Sequence, residues 1–192
     1  GREQEAGTAG PFSANARFFI QPQPSSAKKM NIRRAVQADL PKLLEIYNYE
    51  VVNGVATFDT EPLTLKERQA WFDAHNVGNH PLIVAEADGV PAGYATLSTF
   101  NSKAAYDSTV ELSIYVAPEC RGRHVGRELM GAIIALAKED PRTHRVVSII
   151  TGTNEASIAL HKKFGFRYAG TITEAGFKKG RYLDVGYWEL AV

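Results

Sequence analysis

From residue 30 onward, apolar positions alternate between a period of two and a period of 3.6, and this alternation predicts the elements. Residues 31–36 read as a short first strand. Leu40, Leu43, Leu44, Tyr47 and Val51 recur at i, i+3, i+4, i+7 and i+11, which predicts a helix with one apolar face. Asp39 lies in its first turn, and Pro41 is tolerated there because an N–H at that point has no intrahelical partner. Thr64-Leu-Lys-Glu67 is a capping box that opens a second helix carrying Trp71 and Phe72. Residues 81–86 and 90–97 read as strands around Asp88-Gly89, a two-residue hairpin signal.

In residues 108–116, Val110, Leu112, Ile114 and Val116 share one strand face, while Glu111, Ser113 and Tyr115 share the other. Leu129, Met130, Ile133, Ile134, Leu136 and Ala137 form a helical stripe that Asp140-Pro141 ends. Residues 145–151 make a strand rich in Val and Ile. A short helix over 155–164 follows, stopped by Gly165, and two strands near 166–173 and 183–190 close the chain. The predicted order is βααβββαβαββ, an α/β (α+β) domain with a mixed sheet and helices on both faces.

Bulk composition narrows the function. The 192 residues suit one α/β domain with a substantial core. Lys and Arg number 22 against 21 for Asp and Glu, so no global field calls for nucleic acid or an anionic membrane. No apolar run approaches the roughly 20 residues that span a bilayer. The lone Cys120 rules out an internal disulfide framework and suits a reducing compartment, so a cytoplasmic protein is expected. Five scattered histidines give no metal-site spacing, and no metal is expected. Residues 1–29, rich in Ala, Ser, Gln, Pro and Gly, are expected to be a leader, tag or flexible arm, with Met30 starting the domain. The rival is an organelle transit peptide, against which Glu3 and Glu5 count. Phe18-Phe19-Ile20 is a candidate for docking on the domain surface.

The chemistry concentrates around Tyr115-Val-Ala-Pro-Glu-Cys-Arg-Gly-Arg-His-Val-Gly126. A strand, a tight Arg/Gly loop and a helix start in succession aim backbone N–H groups at the positive helix end, which suits a pyrophosphate. The loop is neither the dinucleotide fingerprint nor a P-loop, and alone it is equally well a solvated basic turn. Glu111 lies mid-strand between Val110 and Leu112, an unusual place for a charge. It is a proton acceptor, one half of a salt bridge across the sheet, or part of an exposed face.

Four separated segments in order resemble the GCN5-related N-acetyltransferases (GNAT), and within them the phosphinothricin and L-amino-acid N-acetyltransferases. They are Val55-Ala-Thr-Phe58 with Glu61-Pro62, Tyr106-Asp-Ser-Thr-Val-Glu-Leu-Ser-Ile-Tyr-Val116 with the Arg-Gly-Arg-His-Val-Gly loop, Asn154-Glu-Ala-Ser-Ile-Ala-Leu-His-Lys-Lys-Phe-Gly-Phe166, and Gly176-Phe-Lys-Lys-Gly-Arg-Tyr-Leu-Asp184. The resemblance runs from about Met30 to the end.

It implies acetyl-CoA as co-substrate. The pyrophosphate would lie on the loop of Arg121, Gly122, Arg123, His124, Val125, Gly126 and Arg127. The pantetheine arm would pair like an extra strand with Ile114, Tyr115 and Val116, one N–H of which polarises the thioester carbonyl. Asn154, Ser157 and Lys162 would lie at the same groove. One departure stands out: His124 occupies the first glycine of the family's Arg/Gln-x-x-Gly-x-Gly/Ala pattern, and is read as a tolerated surface replacement.

Glu111, five residues after Tyr106, matches the family's general base, acting through a water. His161 shares a helical face with Asn154 and Ser157 and is read as a packed ring rather than a general acid. Phe58, Glu61, Tyr106, Thr153 and Asn154 match acceptor-side positions, and Lys103 and Arg181 are candidate partners for a substrate anion. The expected reaction is direct acetyl transfer in a ternary complex to the amine of a small amino acid or analogue. The rivals are a protein or peptide acceptor and a non-catalytic acyl-CoA-binding module. A homodimer is also implied, with the C-terminal strands and a 176–183 loop near its interface.

Overall fold

The computed structural model describes residues 30–192; the expectations for residues 1–29, including Phe18-Phe19-Ile20, lie outside the described residues. The elements are β1 (Asn31–Arg34), α1 (Leu40–Asn53), α2 (Leu65–Asp73), β2 (Leu82–Ala87), β3 (Val90–Thr99), β4 (Thr109–Val116), α3 (Val125–Glu139), β5 (Arg145–Thr151), α4 (Glu155–Lys163), β6 (Arg167–Lys178) and β7 (Arg181–Ala191). The order is the predicted βααβββαβαββ. The strands form one seven-stranded sheet, β1-β2-β3-β4-β5-β7-β6, in which β4 and β5 run parallel and every other pair is antiparallel.

Local chemistry sets the element ends. The Thr64 hydroxyl accepts from the Glu67 N–H while the Glu67 carboxylate accepts from the Thr64 N–H, completing the capping box. Gly165 takes φ +87, and the Gly165 and Phe166 N–H groups return to the Lys162 and His161 carbonyls, a Schellman stop for α4. Asp88 and Gly89 both have positive φ, the two-residue hairpin geometry. Lys179 and Gly180 repeat it, so the segment expected as a 176–183 loop is a hairpin tip and both last strands run longer than predicted. Register shifts between Tyr168 and Gly170 and between Ile172 and Gly176 break the period-two pattern there, which hides the strand from a reading of alternation.

Successive strand residues point to opposite faces, and the helices divide accordingly. On one face α3 buries Val125, Leu129, Met130, Ile133 and Ala137 over the sheet. Its Val125 and Leu129 come within 3.1 and 3.2 Å of where a Cβ on Gly93 would stand. Truncating a buried leucine such as Leu129 to Ala costs about 2–5 kcal/mol. On the other face an aromatic layer joins α1 and α2 to the sheet. The Tyr115 ring lies 5.4 Å from both Tyr47 and Tyr94, and Tyr94 lies 5.7 Å from Trp71. The functional features lie where these two faces communicate.

Candidate active site

β4 and β5 pair for three residues, Thr109–Glu111 against Arg145–Val147, and then part. The far end of β5 is tied elsewhere. The Thr151 hydroxyl donates to the Val55 carbonyl at 2.6 Å, and the Gly152 N–H reaches the Asp184 carbonyl at 2.9 Å. The Ser108 carbonyl accepts from His144 and Arg145 on the β5 side, whereas the Ala117 N–H donates to Ala92 on the β3 side. Strand alternation then turns the backbone of even-numbered β4 residues toward β5 and of odd-numbered ones toward β3. Ile114 and Val116 present N–H and C=O to the gap; Tyr115 spends its backbone on β3 and contributes its ring.

The gap joins two cavities on opposite faces of the sheet. A groove of about 1010 Å³ lies on the α3/α4 side and a cavity of about 360 Å³ on the α1/α2 side. Ala56, Ser113, Tyr115, Ile149 and Thr151 line both.

The groove ends at the N-terminus of α3. Gly122 (φ +73) and His124 (φ +62) adopt left-handed conformations that turn the chain into the helix. The first N–H groups of a helix lack intrahelical acceptors and carry its positive end, so this corner suits a pyrophosphate. His124 holds a backbone conformation natural to glycine, at a cost of about 1–3 kcal/mol. Arg121 pairs with Glu50 of α1 and lies 5.6 Å from the Tyr49 ring, which ties the loop to that helix. The groove therefore offers an open strand edge and an anion corner, both built from these residues.

Glu111 projects into the smaller cavity at the seam. No hydrogen bond reaches its carboxylate among the described residues, and burial alone raises its pKa above the ordinary 4.5. Ser98 stands opposite it on β3 and bonds the His75 ring at 2.8 Å. Phe58 forms another part of the wall, its ring lying against Gly176, where a Cβ would come within 2.3 Å.

A family model described as "Acetyltransferase (GNAT) domain" matches residues 32–186. The chain belongs to the GNAT acetyltransferase family. It is 43% identical over 165 residues to a phosphinothricin N-acetyltransferase of Streptomyces coelicolor, covering 84% of this chain and 95% of the relative. A phosphinothricin acetyltransferase of Sinorhizobium meliloti, solved in complex with AcCoA, superposes with a TM-score of 0.81 at 34% identity over 85% of this chain and 88% of that one. A structure titled ribosomal-protein-alanine N-acetyltransferase, from Brucella melitensis, gives 0.81 at 38% identity over 84% and 99%.

Within this GNAT domain, Ile114, Tyr115, Val116, Arg121, Gly122, His124, Val125, Gly126, Arg127, Asn154 and Ser157 all line the larger groove. Arg123 does not: its guanidinium turns to the Cys120 sulfur at 3.9 Å. Lys162 lies over the Trp188 ring at 5.5 Å, because one helical step past His161 rotates it about 100° away. Of the acceptor-side candidates, Phe58 lines the smaller cavity. Glu61 and Thr153 stand exposed outside both cavities, as do Lys103 and Arg181, and Tyr106 packs edge-on against Phe100 at 5.7 Å.

His161 lines the groove as a packed ring. Its Nδ1 lies 2.7 Å from the Ser157 carbonyl and must donate to it, which leaves Nε2 to accept from the Ser148 hydroxyl at 2.8 Å. Burial lowers its pKa and keeps it neutral. The smaller cavity also holds residues that the sequence did not mark as site candidates, among them Tyr47, Arg68, Tyr94, Ser98 and Thr151. Arg68 had a sequence signal: it precedes Trp71 and Phe72 by three and four positions, on the apolar side of α2.

Proposed function

We propose that this chain transfers the acetyl group of acetyl-CoA to the amine of a small amino acid or analogue of the phosphinothricin or methionine sulfoximine type, by direct attack in a ternary complex. The observation that carries this reading is the meeting of the two cavities at the β4/β5 gap, with Glu111 at the seam. Donor and acceptor enter from opposite faces and need no shuttling residue between them. The co-substrate supplies the acetyl thioester. The loop over Arg121–Arg127 holds its pyrophosphate, the open edges of Ile114 and Val116 pair with its pantetheine, and an N–H there polarises the thioester carbonyl.

Glu111 takes a proton from the acceptor ammonium through a water, since only the neutral amine attacks. Its raised pKa brings the carboxylate closer to that of the group it deprotonates. Cys120 is buried, with no His–acid pair around it among the described residues, and is a poor covalent carrier. His161 is already committed through both nitrogens, so the thiolate leaves without it.

A small acceptor suits a 360 Å³ cavity walled by Tyr47, Phe58 and Trp71. A homodimer goes with the C-terminal hairpin, which leaves Tyr168, Ile172, Phe177 and Tyr182 more than half exposed. A cytoplasmic location goes with the unpaired Cys120; among the described residues no helix is long and apolar enough to cross a membrane. The test is thiol release from acetyl-CoA with free amino acids, methionine sulfoximine and phosphinothricin. Turnover with at least one is expected; CoA binding without turnover of any small amine overturns the reading, and acetylation of peptides alone moves it to a protein acceptor.

A further inference from the structure

Arg68 lies in the smaller cavity and is only 8% exposed. Its guanidinium sits 3.6 Å from the Trp71 ring centroid and 4.1 Å from that of Tyr47. One donor, Nη2, reaches the neutral Tyr94 hydroxyl at 3.3 Å. Nε is buried with no hydrogen-bond partner, and no carboxylate pairs with the group among the described residues. A buried arginine is a permanent cation with five N–H donors, and aromatic faces offset only part of its lost hydration. By contrast, the buried Asp39 pairs with Arg33, and the buried Lys178 donates to the Thr57 carbonyl.

We infer that Arg68 is a specificity residue of the acceptor cavity, pairing with an oxyanion, carboxylate or phosphinate, on the molecule whose amine is acetylated. This rests on the acetyl-transfer reading above and extends it to the acceptor's charge pattern. The cavity is bipolar: Glu111 draws the ammonium to the seam, and Arg68 holds the anion that Glu111 alone would repel. An amine without an oxyanion leaves the guanidinium unpaired, so the cavity selects zwitterions or amino-phosphinates over simple amines.

The test compares wild type with Arg68→Met, which keeps the stacked volume without the charge, and Arg68→Lys, which keeps the charge without the planar fork. The acceptors are phosphinothricin, its α-carboxamide, and methionine, which lacks the phosphinate. Arg68→Met is expected to raise KM for phosphinothricin about tenfold or more with kcat nearly unchanged, and to spare the analogue missing the oxyanion that Arg68 holds. Arg68→Lys recovers part of the loss and reads the same contrast should Arg68→Met lose CoA binding.

An equal loss for all three acceptors, or none, overturns the inference. Calorimetric titration of phosphinothricin into the protein–CoA complex separates the two claims. Binding by wild type that weakens about tenfold in Arg68→Met, without turnover, sinks the transfer reading and keeps Arg68 as the anion partner. Equal affinity in the two proteins, or no binding by wild type, overturns the inference itself.

Discussion

Glu111 and Val147 form the last rung of the β4–β5 ladder, so the carboxylate stands at the point where the two strands part. Below that rung the sheet is closed and its faces are separate. Above it the backbone of Ile114 and Val116 is open, and the larger groove reaches the cavity holding Glu111. One register therefore sets both the open strand edge and the position of the Glu111 carboxylate.

Replacing Glu111 with Gln is expected to lower kcat by about 10²–10⁴-fold and to abolish the acidic limb of the pH–rate profile. Stability moves the other way. Burial raises the folded pKa above the unfolded value near 4.5, so the native state binds more protons between them and loses stability as pH rises through that window. Glu111→Gln should melt above wild type at pH 7 and level with it below the unfolded pKa. A lower melting temperature at pH 7, or an unchanged rate profile, contradicts this assignment.

His75 and His161 share one arrangement, Nδ1 donating to the carbonyl four residues back and Nε2 accepting from a strand serine. Burial lowers both pKa values below 6.5. Their contribution to stability is complete above the unfolded value and is lost as pH falls through 6.5 toward the folded values. His161→Phe should flatten the fall in melting temperature between pH 7.5 and 5.5, cost about 1–3 kcal/mol at neutral pH by stranding Ser148, and change kcat less than about tenfold. A loss of kcat near a thousandfold would make it a general acid.

His124 holds φ +62, so relieving its side chain tests the loop directly. His124→Gly should keep stability within about 1 kcal/mol and bind CoA at least as tightly, the relieved strain being offset by a freer unfolded chain. His124→Val should lose about 2 kcal/mol and weaken CoA, because a branched Cβ tolerates that conformation poorly. Paired melting curves and CoA titrations check both.

Gly176 gives room to Phe58, whose ring occupies the space a Cβ would need. Gly176→Val should displace the ring, raise the acceptor KM severalfold and leave CoA affinity unchanged. A weakened CoA affinity with an unaltered acceptor KM would show that Phe58 does not wall the acceptor cavity.

Element order was legible because it follows from periodicity and from caps such as Thr64–Glu67 and Gly165, which act locally. Glu111 was legible for a related reason: a carboxylate inside an apolar strand conflicts with its surroundings. The hairpin tip at 179–180 was hidden because two bulges shift the alternation. Arg68 was obscured because a charge on a helix defaults to solvent, and only the aromatic layer from α1 and β3 turns that position inward. The seam depends on where a parallel ladder stops, a long-range fact that no local pattern encodes.

The most direct measurement is initial velocity with acetyl-CoA and phosphinothricin varied together. Attack across the seam in a ternary complex predicts intersecting double-reciprocal lines, with Glu111→Gln slower at every concentration. Parallel lines with a burst of thiol release before any acceptor is added would mean an acetylated enzyme, and would contradict the account.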